Sequence, residues 1–363
     1  MAVLVTGGTG ALGRELLPLL ARDAGELFVL TRDPDAAAGV LPPGAKPVRG
    51  DVTRGALLGM TDADAALLHA RVTRIVHCAA ATSFSLPIEE ARAVNVDGTR
   101  AVLGFARRCQ RIEAVACAST AYVAGKRTGT IREGDEGGGA GFVNSYEQSK
   151  HEMEQVVAAA AGELPVSVCR FSTIIGHSVT GAVGAFNAIH HALRLFYQGL
   201  APMIPGDHAT RIDLVPVDFA AGAMHRLATD RFEAGRTYHL CAGASNTCSL
   251  DELLSMTVEA FERTRPAWRK RRIVRPAVVD PATYALFVRS VRESGNVVLQ
   301  AATDAVQAFA WQLVYPKTFD TTAAGGALAG TGIRAPHVRD YYEKVVEWCV
   351  TSNWGRAADG AAA

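Results

Sequence analysis

A doubly wound parallel Rossmann sheet, followed by a smaller and mostly helical C-terminal region, is the α/β fold that this 363-residue sequence predicts, on three observations. Short apolar or β-branched runs recur at residues 2–6, 27–31, 74–79, 115–119 and 166–171. Longer segments with helical spacing, at residues 13–22, 88–108 and 146–161, lie between most of them. The first run passes through a glycine-rich turn straight into the first helix. Strands that are apolar throughout are buried on both faces, and the helices between them act as crossovers of a parallel sheet. Pro18 falls inside the first helix and is expected to bend it slightly.

Beyond residue 172 the pattern loosens. Residues 186–198 read as an amphipathic helix, and 212–217 and 237–241 as late strands returning to the sheet. From about residue 249 the chain reads as mainly helical, with an Ala/Gly-rich loop at 322–332. The expected division is a nucleotide-binding core over 1–172, with returning strands near 212–243. A substrate-binding region follows over 173–211 and 244–356, with a disordered tail at 357–363.

Composition narrows the function classes. Hydrophobic residues make up 49% and charged residues 20%, enough apolar material for a large core. A net charge of +1 argues against nucleic acid or a charged membrane surface as partner. Cysteines 78, 109, 117, 169, 241, 248 and 349 include no CxxC pair, as expected for free thiols in a reducing cytoplasmic compartment. No unbroken apolar stretch approaches the ~20 residues of a membrane helix. The first strand begins almost at Met1, which leaves no room for a signal peptide, so a cytoplasmic location is expected.

The glycine-rich turn is Gly7-Gly8-Thr9-Gly10-Ala11-Leu12-Gly13, with Arg14 on the helix behind it. Such a turn needs one residue free of Cβ strain, one place where backbone approaches a pyrophosphate, and one close contact between helix and strand. Gly7, Gly10 and Gly13 are spaced for these, and the helix N-terminus offers N–H groups and a positive dipole end to phosphate. The second strand ends at Thr31-Arg32, where an acidic residue would hold a ribose 2′-hydroxyl. A basic residue suits a 2′-phosphate, so Arg32, with Arg14 as a second contact, points to NADP. Asp51, followed by Val52, has a carboxylate suited to the adenine amino group. Ala79 and Ala80 end the 74–79 run with small side chains past which a cofactor can lie. His77, in the same run, reads as a packed strand-end histidine.

The chemistry is signalled by Ser119-Thr120 at a strand end and by Tyr146 and Lys150. Spacing i, i+4 puts Tyr146 and Lys150 on one helix face. A free tyrosine has a pKa of about 10. A nearby ammonium stabilises the phenolate and lowers that value, which suits the pair to proton transfer. A hydroxyl from Thr120 can steady a substrate oxygen as it gains charge.

These features resemble the extended short-chain dehydrogenases/reductases over roughly the first 240 residues. The resemblance runs from the glycine-rich turn through Asn95-Val96-Asp97-Gly98-Thr99 to Val215-Pro216-Val217-Asp218. It implies Thr120, Tyr146 and Lys150 as the catalytic set, with Lys150 also bonding the nicotinamide ribose. Ser119 is the alternative hydroxyl, and the spacing to Gly125 favours Thr120. It further implies that Asn95, Phe171 and Ser172 lie at the cofactor, and that dimers are common. Residues 77–84, 119–125 and 174–181 resemble the acyl-thioester reductases within that group, namely fatty acyl-CoA reductases and the terminal domains of carboxylate reductases. That branch implies an acyl thioester, on coenzyme A or a carrier protein, reduced to an aldehyde, with further reduction to the alcohol left open. The family usually has Arg-Pro after the sixth strand, where this chain has Arg170-Phe171-Ser172. Two other readings share the cofactor motifs: a reductase of lipophilic ketones or aldehydes, and an NADP-sensing protein without catalysis. The Tyr146/Lys150 pair argues against the second.

Other segments carry double readings. The basic stretch 263–275 around Trp268 suits either a docking patch for coenzyme A phosphates or an acidic carrier, or a solvated surface. Residues 134–141 suit a mobile flap or a plain surface loop. His190-His191 has no metal-ligand partner at useful spacing. Phe186, Leu193, Phe196, Tyr197 and Met203 could line an acyl pocket or pack the smaller region.

Overall fold

Most strands of the central sheet are buried on both faces because helices cover both sides. The computed structural model describes residues 1–271 and 273–356; the expected tail at 357–363 lies outside the described residues. Seven parallel strands form the sheet: β1 (Ala2–Thr6), β2 (Glu26–Thr31), β3 (Ala45–Arg49), β4 (Arg74–His77), β5 (Ala114–Thr120), β6 (Val166–Phe171) and β7 (Thr237–Leu240), in the order β7-β6-β5-β4-β1-β2-β3. Every residue of β1 is buried. Leu4 joins Phe28, Ile75, Val115 and Met153 on one face, while Val3 and Val5 join Val29, Val76, Phe219 and Met224 on the other. Strand order reverses between β1 and β4, which opens a crevice at their C-terminal ends.

Helix α1 (Ala11–Asp23) runs unbroken through Pro18. The helix expected over 88–108 is interrupted: Ile88–Arg92 and Gly98–Ala106 flank a π-turn at Ala93–Asp97. Helix α2 (Ser145–Ala160) starts at Asn144, whose side chain accepts from Glu147 N. The 186–198 expectation corresponds to the helix Ala188–Gln198.

Three expectations need correction. Strand β4 stops at His77, two residues short of the apolar run, because the Ala79 amide turns to bond Thr6 Oγ1 at 3.3 Å. Only 237–240 returns to the main sheet. Leu214–Pro216 pairs instead with Thr173–Ile175, and Arg211–Ile212 with Cys248–Ser249, as separate two-stranded ribbons. Local β pattern gives no partner, and here the partners lie beyond the end of β6. Part of the Ala/Gly-rich loop is helical, Thr322–Ala327, because Glu133, buried beneath it, accepts the amides of Ala323 and Ala324. Strand β3, lacking apolar alternation, was not anticipated; it pairs with β2 at the sheet edge.

The C-terminal region has its own core, in which Leu193, Phe196, Phe261, Trp268, Tyr284 and Tyr342 are buried together.

Candidate active site

The turn after β1 has the geometry its glycines suggest. Gly7 has φ +72°, and a Cβ there would stand 2.5 Å from Ala79 N. A Cβ on Gly13 would stand 2.4 Å from Gly7 O, so helix and turn pack backbone to backbone. Gly10 differs: it is exposed, and the nearest atom to its would-be Cβ is Gly7 O at 3.3 Å. Gly10 caps α1 without any side-chain bond, which leaves the first N–H groups of the helix open toward a ligand. Thr9 is exposed, and Ala11 and Leu12 are half-buried beside it. Arg14 Nε donates to Thr9 O at 2.9 Å, which holds this guanidinium at the turn. Arg32 is exposed after β2, and its charge acts on Asp51. Asp51 Oδ1 accepts from the Thr53 amide and hydroxyl at 2.9 and 2.8 Å, and these bonds help hold the carboxyl below its ordinary range. Val52 is buried in the core and closes against Gly98. This pocket rim fits a dinucleotide, with an uncapped helix end and an open glycine for the pyrophosphate and two arginines beside them.

Ala79 and Ala80 are half-buried beside Gly7. Asn95 is buried in the π-turn. Its amide accepts from Ala81 N at 2.8 Å and donates to Ala81 O and Ser149 Oγ at 3.0 and 2.9 Å. Its polar atoms thus tie the loop after β4 to α2. His77 is buried between Thr6 Oγ1 and Thr99 Oγ1, at 2.7 and 3.0 Å, and burial lowers its pKa to about 3, so it stays a neutral strut.

Thr120, Tyr146 and Lys150 come together at the C-terminal end of β5. The Tyr146 hydroxyl bonds Thr120, whose Oγ1 also donates to Phe171 O at 3.2 Å and accepts from Tyr122 N at 3.2 Å. Ser119 points elsewhere: its hydroxyl donates to Glu154 Oε1 at 2.5 Å. Successive strand residues face opposite ways, so only one of the two hydroxyls can reach Tyr146. Lys150 is buried, with Nζ donating to Ala118 O at 2.7 Å, and burial lowers its pKa to about 8. Burial raises the Tyr146 phenol above its ordinary value, with the Thr120 bond pulling the other way and Glu147 adding to the rise. The lowering expected from the ammonium is not seen: burial dominates, and only the Thr120 bond opposes it. Phe171 is in the core, so only its backbone faces the site. Ser172 is buried beside Asp213, whose pKa is raised to about 6 by burial, with the Ser172 hydroxyl holding it down.

A narrow cleft of about 30 Å³ begins at Tyr122, two residues past Thr120, and is walled by Tyr122, Thr173, Asp213, Phe309, Gln312 and Lys317 among others; Thr120, Tyr146 and Lys150 themselves do not line it. Sequence reasoning missed these residues, since they come from four separated segments and no spacing links them. An open hollow of about 610 Å³ lies over Val96, Arg100, Glu152 and Ala159, and its lining includes none of the catalytic candidates.

The remaining double readings separate. Leu193 and Phe196 are buried in the C-terminal core, and Phe186, Tyr197 and Met203 pack against it. In the basic stretch, Arg263 pairs with Glu343 and Glu347, Arg275 with Asp251, and Trp268 Nε1 donates to Tyr197 O at 2.8 Å, so these groups brace the fold. Arg272 lies outside the described residues. The 134–141 loop is anchored, with Gly138 N donating to Val123 O and Lys126 N to Gly141 O at 3.2 and 2.9 Å. His190 is buried, and the described residues include no cluster of three metal-ligating side chains.

Comparison with known proteins gives consistent likenesses. A family profile described as male sterility protein, an NAD-binding family, matches residues 43–224. A Drosophila melanogaster protein provisionally assigned as a fatty acyl-CoA reductase is 25% identical over 322 residues, 73% of this chain and 59% of its own. A carboxylic acid reductase of Segniliparus rugosus is 28% identical over 308 residues, 71% of this chain and 25% of its own. The chain thus spans less than two thirds of the length of these relatives, 59% of one and 25% of the other. Among solved structures, the terminal R domain from the myxalamid PKS-NRPS biosynthetic pathway superposes with a TM-score of 0.79 at 26% identity, covering 97% of this chain and 91% of that one.

Proposed function

The chain belongs to the male sterility protein family, within the extended short-chain dehydrogenases/reductases, and on that premise we propose that it uses NADPH to reduce an acyl thioester to an aldehyde. The observation that carries the reading is the Thr120–Tyr146 hydroxyl pair beside buried Lys150, set at the strand ends next to an open glycine turn. The relatives provisionally or firmly assigned as acyl reductases support the substrate class. The likeness to a terminal R domain supports an acyl group delivered on a carrier protein or coenzyme A thiol.

A bound nicotinamide nucleotide supplies the hydride. Gly7, Thr9, Gly10, Gly13 and the α1 N-terminus would hold its pyrophosphate, Arg32 and Arg14 its 2′-phosphate, Asp51 its adenine, and Lys150 its nicotinamide ribose. Thr120 and Tyr146 point their hydroxyls at the thioester oxygen and stabilise the charge it gains. Tyr146 donates the proton, the hemithioacetal loses the thiol, and the aldehyde leaves. One NADPH and one proton are consumed for each aldehyde and thiol formed; a second round would give the alcohol.

Thiol release and NADPH loss, followed together with a panel of acyl-CoAs, aldehydes and ketones, test this directly. Equal amounts with a thioester are expected. NADPH loss with ketones or aldehydes and no thiol would make the protein a carbonyl reductase. The absence of the usual proline at Phe171 favours keeping that arm in the panel.

The nucleotide assignment has its own test. A hydrogen bond to a charged group contributes about 1.5–3 kcal/mol, so Arg32→Glu should lower the NADPH-over-NADH ratio of kcat/KM by roughly 10- to 100-fold. An unchanged ratio would remove Arg32 from the 2′-phosphate site.

A further inference from the structure

Two buried polar contacts bring a distant segment onto the catalytic elements. The 3-10 turn Trp311–Val314 and the strand Lys317–Phe319 are about 165 to 190 residues along the chain from what they touch. Gln312 Nε2 donates to Glu147 Oε1 at 2.9 Å, and Lys317 Nζ donates to Gly125 O at 2.7 Å. All three side chains are buried: Glu147 1%, Gln312 7% and Lys317 8% exposed. The strand pairs in parallel with Gly129–Ile131, which fixes its register.

Both contact points are neighbours of the proton-handling groups. Glu147 follows Tyr146 on the first turn of α2. Its carboxylate also accepts Val143 N at 2.9 Å and Asn144 Nδ2 at 3.3 Å, while Asn144 caps the helix through Glu147 N. Gly125, at φ +58°, closes the 3-10 turn Ala121–Ala124 that Thr120 caps. One grip therefore holds the turn beside Thr120 and the other the turn carrying Tyr146. Between the grips lies the cleft, of which Gln312, Leu313, Tyr315, Pro316, Lys317 and Phe319 form one wall. Burying an ammonium and a carboxylate here is expensive, and apolar packing of equal volume would serve stability as well or better. Directed contacts instead define position.

We propose that residues 311–319 act as a strap, with Gln312 and Lys317 as positioning residues that hold the turns carrying Thr120 and Tyr146, and so their bonded hydroxyls, in register. The proposal rests on the reading of Tyr146 as proton donor, and it makes the C-terminal region part of the catalytic apparatus. A misplacement of about 1 Å can lower turnover by ~100-fold, so loss of one grip acts on kcat.

The test is an exchange cycle in the full chain: Gln312→Glu, Glu147→Gln and the double variant, with Lys317→Met alongside. Turnover is measured with whichever carbonyl substrate the unaltered protein reduces best. Gln312→Glu sets two carboxylates together, and kcat is expected to fall at least ~10-fold with the KM for NADPH within ~3-fold. The double variant restores a carboxylate–amide pair and should return kcat to within about 3-fold of the starting value. Lys317→Met should also lower kcat. Amide hydrogen exchange across residues 143–147, read without substrate, should rise in Gln312→Glu and return in the double variant. Single variants with unchanged kcat and exchange would overturn the strap, as would a double variant that recovers folding but not turnover. Failure of thiol release in the unaltered protein would instead sink the thioester reading, and the cycle would still report on the strap.

Discussion

Replacing Tyr146 with Phe should lower turnover by on the order of 1,000-fold while nucleotide affinity stays within a few-fold, as measured by steady-state kinetics and NADPH fluorescence titration. The ring stays packed near Phe84, at a centroid distance of 5.6 Å, so only the hydroxyl and its bond to Thr120 are removed. Turnover within 10-fold of the starting value would exclude Tyr146 as the proton donor. The pH dependence follows from its neighbour. Burial lowers the Lys150 pKa to about 8, so the ammonium is present at neutral pH and is lost as pH rises through that value. Burial holds the Tyr146 phenol protonated over the same range. A reduction that needs both protons in place should therefore decline above about pH 8, and Lys150→Arg should remove that limb.

Removing Glu154 should destabilise the fold by about 3–5 kcal/mol, the usual consequence of stripping one partner from a buried pair. Arg170 and Glu154 meet at 2.6 Å, with side chains 6% and 10% exposed. Arg170 lies near the C-terminal end of β6, where the guanidinium also donates to Asp135 O at 3.0 Å, and Ser119 completes the cluster. Glu154→Ala leaves a buried cation with two carbonyls and the His239 ring but no counter-charge. Denaturant unfolding should show the loss, and adding Arg170→Met should recover part of it by removing the stranded charge. A loss under about 1 kcal/mol would mean that water reaches the guanidinium. Because Ser119 belongs to this cluster, Ser119→Ala should act on stability, in contrast to Tyr146→Phe.

The sequence alone determined the features that depend on near neighbours in the chain. The glycine turn, the i, i+4 pairing of Tyr146 and Lys150, the five apolar strands of the core and the basic residue after β2 are all written within a few positions of one another. Backbone strain, helical periodicity and double-sided burial leave local marks, and those marks were legible. Tertiary structure decided whatever depends on partners far away. Ser119 and Thr120 are adjacent and alike in chemistry; only the side of β5 that each faces separates them, one toward Glu154 and the other toward Tyr146. The strands at 211–216 carry an ordinary β pattern, yet pair outside the main sheet because their partners lie past the end of β6 and beyond residue 247. The shift of the Tyr146 phenol depends on how completely the fold excludes water around it, which helix spacing does not encode. Gln312 and Lys317 carry no motif, and a polar residue in a C-terminal segment looks like surface until the chain folds and buries it against Glu147 and Gly125. Hydrogen bonds between residues more than 150 positions apart are set by packing, and packing is a property of the whole chain.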